Sequence, residues 1–123
     1  MIKGYHILYL LVFLVVFQAC KKSISSEKQN YIGQWITGDA LEQISIFQDG
    51  SATWMKQEGA VQSSINNGRI KFDENSFTIK SGLIREKFEI NTEPTPVSQN
   101  SGLMYSGYKY FAKFNNQNFY RIY

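Results

Sequence analysis

Residues 68–90 read GRIKFDENSFTIKSGLIREKFEI, and this stretch decides the fold. Ile70 and Phe72 alternate with Arg69 and Lys71. After the polar break Asp73-Glu74-Asn75, Phe77 and Ile79 alternate with Ser76, Thr78 and Lys80. After Ser81-Gly82, the residues Ile84, Phe88 and Ile90 point one way together with Glu86, while Leu83, Arg85, Lys87 and Glu89 point the other. A period of two belongs to a half-buried strand, because successive side chains leave opposite faces of the pleat. Polar breaks of two or three residues between such runs are hairpin turns.

The same pattern extends in both directions. Asp49-Gly50, Glu58-Gly59, Asn66-Asn67-Gly68 and Asn115-Asn116-Gln117-Asn118 are further turn signals, and Met104, Tyr108, Tyr110, Ala112 and Phe114 share one parity against Lys109 and Lys113. The runs between turns are too short for helices and rich in Ile, Phe, Tyr, Thr and Trp, which suit a pleated surface. Strands are therefore expected over 31–37, 41–48, 51–57, 60–66, 69–73, 76–80, 83–91, 103–114 and 118–123. An all-β meander of hairpins leaves two strand edges open to association, and closure removes them. The expected fold is a single antiparallel barrel of eight or nine strands, with a two-sheet sandwich as the alternative. Pro94 and Pro96 remove backbone donors, so 92–102 is expected to be a long loop and a recognition surface.

The beginning of the chain differs in kind. Lys3 precedes an eleven-residue apolar run from Ile7 to Phe17, followed by Gln18-Ala19-Cys20. Eleven residues span about 16 Å as a helix, too short for a hydrocarbon core of about 30 Å. The run is a signal peptide. Phe17-Gln18-Ala19-Cys20 resembles the lipobox of bacterial lipoproteins, which implies cleavage after Ala19 and a diacylglyceryl group on the sulfur of Cys20. An ordinary free thiol or an uncleaved anchor is the alternative, yet the chain has a single cysteine, and an unpaired thiol in an oxidising envelope is a liability. Residues 1–19 are thus expected to be removed, 20–30 to form a lipidated tether, and 31–123 to fold.

The formal charge of +3 belongs to this leader and tether. Between residues 30 and 123, nine Lys and Arg face nine Asp and Glu. A neutral domain offers phosphate no long-range attraction, which excludes nucleic acid as a partner. The only histidine is His6, in the leader, so the folded part lacks His and Cys, and with them the usual nucleophile and zinc sets. No enzyme activity, metal or cofactor is expected.

Tyr31-Ile32-Gly33-Gln34-Trp35, followed by Leu41-Glu42-Gln43-Ile44-Ser45-Ile46 and Asp49-Gly50-Ser51, resembles the opening of small bacterial lipocalin-like lipoproteins, with their Gly-x-Trp, strand and Asp-Gly-Thr pattern. The resemblance implies that Trp35, with Gly33, closes one end of a barrel and that a basic residue of the last strand, Arg121, packs on it. The alternative is a core Trp35 and a solvated Arg121. The resemblance also implies an envelope lipoprotein, most simply on the outer membrane, monomeric and binding a small apolar ligand inside the barrel. The alternative is a filled barrel that recognises a protein or glycan through surface loops. Trp54, Glu86, Tyr108, Tyr110 and Phe111 are the candidate contact residues, Glu86 because it has the parity of an apolar face and Phe111 because it is an aromatic on the outer one. A Cys20→Ser chain is expected to remain an uncleaved precursor that incorporates no labelled palmitate; undiminished labelling would exclude the lipid anchor.

Overall fold

A computed structural model of the chain describes residues 23–97 and 108–121. Eight strands, β1 (Gly33–Thr37), β2 (Glu42–Ile46), β3 (Ser51–Glu58), β4 (Val61–Phe72), β5 (Ser76–Ser81), β6 (Ile84–Pro96), β7 (Tyr110–Phe114) and β8 (Gln117–Arg121), form a closed barrel in sequence order. Every neighbouring pair is antiparallel, including β1 with β8. The meander is therefore a barrel and not a sandwich.

Three expectations need correction. The runs 60–66 and 69–73 are one strand, β4, because Asn66-Asn67-Gly68 forms a bulge instead of a turn: Ala52 pairs with Gly68 but Trp54 with Ile65, so β4 carries one extra residue. Asn67 takes the left-handed backbone (φ 53°) that a tight turn would also use, which is why the two look alike in sequence. Gly68 meets the core directly, since a Cβ there would lie 2.9 Å from both Ile65 and Ile79.

The expected loop 92–102 is strand as far as Pro96. β5 accompanies β6 only to Glu89, with a last bond from the Ile90 N–H to the Asn75 carbonyl. Beyond that point one edge of β6 is unpaired by β5. Pro94 falls inside a register shift between Thr92 and Thr95, and the neighbour of Pro96, Val97, turns its N–H to Lys109 on the β7 side. The prolines thus occupy a bulge and an open edge, the positions that need no donor. Residues 98–102 of that loop, 103–107 of the expected eighth run and 122–123 of the last lie outside the described residues.

The third correction concerns the tether. Ser26–Tyr31 form a 3-10 helix, and Ile24 and Tyr31 are buried. The Ile24 N–H donates to the Gln48 carbonyl (2.9 Å), and Gln29 Nε2 to the Ile24 carbonyl (3.0 Å). Two apolar residues in a polar segment are enough to dock it, leaving a much shorter link to Cys20.

This helix caps one end of the barrel. The Tyr31 ring lies 5.0 Å from Phe72 and 6.1 Å from Phe114, and Phe114 lies 5.0 Å from Phe77 and 5.3 Å from Phe119. Trp35, Ile44, Ile46, Phe77, Ile79, Phe88, Phe114 and Phe119 are fully buried and fill the interior. Each contributes about 1.5–3 kcal/mol relative to an exposed side chain.

Arg121 fastens the cap. β1 and β8 share only two register pairs, Ile36 with Tyr120 and Thr37 with Phe119. Below them the Arg121 guanidinium lies between the rings of Trp35 (4.8 Å) and Tyr110 (4.3 Å). Its Nη1 donates to the carbonyls of Asn30 (2.6 Å) and Ile32, while Trp35 Nε1 donates to that of Tyr31 (2.9 Å). Three successive carbonyls at the negative end of the helix thus receive donors from β1 and β8. Gly33, at φ +134°, leaves room for the crossing, since a Cβ there would stand 2.5 Å from Arg121 Cδ. Burial pushes the guanidinium pKa down, with Tyr110 opposing. In a double-mutant cycle of Arg121→Ala and Trp35→Phe, followed by urea unfolding, the two losses are expected to be non-additive by about 0.5–2 kcal/mol; simple additivity would show that the two side chains do not act together.

Candidate functional site

The cap, the β2–β3 turn and the β4–β5 turn lie at the closed end; the β1–β2, β3–β4, β5–β6 and β7–β8 turns surround the other. Glu42, Ile44 and Ile46 of β2 alternate inward, so Glu42 sits at the open end directly above the core. Its cross-strand partner Lys56 faces the same way, as does Ser63 opposite Lys56. On the far wall, Glu86 pairs with Ile79 and Phe88 with Phe77, which directs both inward. Trp54 and Phe88 meet edge to face at 6.3 Å and form the floor.

The result is a recess of about 330 Å³ lined by Glu42, Trp54, Lys56, Ser63, Glu86 and Gln117, among others. It is polar, because the apolar interior stops at its floor. Glu42 is only 7% exposed. Burial raises its pKa above the ordinary carboxylate range, Lys56 and the Trp54 indole pull it back down, and Glu86 and Asp39 reinforce the rise. The Trp54 N–H points toward this carboxylate closely enough to favour its ionised form, yet makes no hydrogen bond of ordinary geometry. Lys56 Nζ is held by Glu58 at 2.9 Å, and that hydrogen bond is the first cause of its raised pKa. Among the described residues Glu42 has no ion pair, and no cluster of three or more His, Cys, Asp or Glu could hold a metal.

A larger groove of about 560 Å³ runs outside the rim between the β1–β2 loop, the end of β3 and Tyr120. It shares Glu42, Lys56 and Glu58 with the recess, and its further acid, Asp39, is engaged in local structure, accepting from Thr37 Oγ1 (2.6 Å) and the Leu41 N–H (3.1 Å), bonds that hold its pKa down.

The five candidate contact residues do not form one site. Trp54 and Glu86 share the recess. Tyr110 lies at the closed end under Arg121. Tyr108 and Phe111 pack on the outer-face ring of Tyr120 at 5.3 and 5.9 Å, which leaves Phe111 half-buried where an exposed aromatic was expected. Alternation along β7 carries its even residues inward, but Tyr108 precedes the strand and is not bound by that parity. Asp49 lies in the β2–β3 hairpin turn, where Ser51 N (3.0 Å) and Oγ (2.6 Å) donate to it. Glu42 was missed as a site residue, although Glu42-x-Ile44-x-Ile46 carries the same parity signal as Glu86-x-Phe88-x-Ile90. A scan against protein-family models, a search of curated proteins and a search of solved structures each find no match.

Because the folded-state pKa of Glu42 lies above its unfolded value, its contribution to stability is greatest below the ordinary carboxylate pKa and is lost as pH rises through the folded one. Glu42→Gln is therefore expected to flatten that fall and to raise the urea midpoint at pH 7 relative to the parent. A lower midpoint at pH 7 would mean that the ionised carboxylate is a net stabiliser.

Proposed function

We propose that the chain is a non-enzymatic binding module, anchored through lipid on Cys20 and presenting the open end of its barrel for recognition. The observation that carries this reading is the filled interior: Trp35, Phe77, Phe88, Phe114 and Phe119 occupy the volume in which an apolar guest would sit. A small hydrophobic ligand inside the barrel is therefore the weaker of the two expectations, and recognition at the surface the stronger. The lack of His and of any Cys but Cys20 after the leader favours binding over catalysis.

The position of the cap supports an orientation. Three residues, and so four Cα-to-Cα steps, separate Cys20 from Ile24, which is held against Gln48 at the closed end. At most about 14 Å of extended chain is available there. An anchor on Cys20 keeps the closed end near the bilayer and turns the open end away. That end also carries Leu41, Val61, Leu83 and Ile84, four large apolar side chains at least half exposed. Apolar side chains around a polar recess suit contact with another molecule.

Titrating a fluorescent fatty acid into the mature protein is expected to give no saturable quenching of tryptophan emission. Saturable quenching at one site per chain would restore the apolar-ligand reading.

A further inference from the structure

Two groups in the recess face each other without a hydrogen bond of ordinary geometry. Trp54 is 6% exposed and its Nε1–H, directed at Glu42, makes no hydrogen bond of ordinary geometry; Glu42 is a buried carboxylate without an ion pair among the described residues. Buried polar groups normally have partners, and an unmade bond costs more than a made one returns. A ligand group seated between them would accept from the N–H and donate to the carboxylate. An ammonium only donates. A phosphate or carboxylate only accepts, and would also meet Glu42, Glu58 and Glu86 with a single Lys56 to offset them. A hydroxyl does both.

The rest of the lining fits a molecule with several hydroxyls. Glu86 accepts, Lys56 donates, and Ser63 and Gln117 do either, around an aromatic floor of Trp54 and Phe88. The volume of about 330 Å³ equals that of roughly eleven liquid waters at about 30 Å³ each, room for one ring and not for a long chain. We propose that the recess binds one pyranose ring of a neutral saccharide, with a ring hydroxyl bridging Trp54 Nε1 and Glu42. This proposal rests on the binding-module reading and names its ligand class.

The full chain, labelled with 5-fluorotryptophan and held in phosphatidylcholine nanodiscs, gives one fluorine resonance for Trp54 and one for Trp35. Trp35, at the closed end, is the internal control. Methyl glucoside, methyl galactoside and N-acetylglucosamine are titrated separately, with butylammonium as the cationic arm. The expected result is a saturable shift of the Trp54 resonance with at least one pyranose while Trp35 stays fixed. Glu42→Gln is expected to weaken that binding roughly tenfold. Glu86→Gln, at the opposite wall, gives a second reading should Glu42→Gln fold poorly, and Lys71→Ser, exposed near the closed end, should leave affinity unchanged. No saturable shift with any pyranose, a response to butylammonium alone, or unchanged affinity in both Gln variants would overturn the proposal. Loss of palmitate labelling tests the anchor separately, so a failed sugar titration with an intact anchor rejects the ligand class and leaves the tethered module standing.

Discussion

Arg121 holds the barrel together where its hydrogen bonding is weakest. The seam between the first and last strands has two register pairs, too few to define a closed sheet securely. One guanidinium supplies what the ladder lacks, stacking between Trp35 and Tyr110 and donating to carbonyls of the segment that covers the barrel floor. The interaction joins three parts of the chain that are remote in sequence. Its burial without a carboxylate partner among the described residues is offset by ring faces and by the negative end of a short helix, so the positive charge is spread over dipoles and quadrupoles.

That closure determines where anything else can happen. With the lower end sealed and the middle packed with aromatic and branched side chains, polar chemistry is confined to the top of the barrel. The transition is abrupt: on β2 it falls between Ile44 and Glu42, and on β6 between Phe88 and Glu86. Glu42 takes the burial of the core without its chemistry, which is why its proton affinity rises.

Much of this was legible in residue order. Alternation along β5, β6 and β7 gave the strands and the inward faces, and closure followed from the edges that a meander must hide. What was not legible depended on long-range contacts. Asn66-Asn67-Gly68 has the residues of a turn, and only the partner strand distinguishes a turn from a bulge. Pro94 and Pro96 argue against strand until it is known that β5 has already ended beside them. Ile24 looks like a stray apolar residue until the Gln48 carbonyl is placed beside it. Of the site, Trp54 and Glu86 are visible in sequence, and Glu42 carries the same parity signal within the alternating run Glu42-x-Ile44-x-Ile46.

The walls of the barrel are unequal. β7 turns back at Asn115, whose side chain bonds to Glu89 N and the Lys87 carbonyl, whereas β6 continues past that level to Ile84. The difference is about 16 Å of strand at about 3.3 Å per residue. The rim is therefore slanted like a scoop, tall on the β5–β6 side and low beside Gln117 and Leu41. Anything seated at this end would be walled on the β5–β6 side and open to solvent beside Gln117.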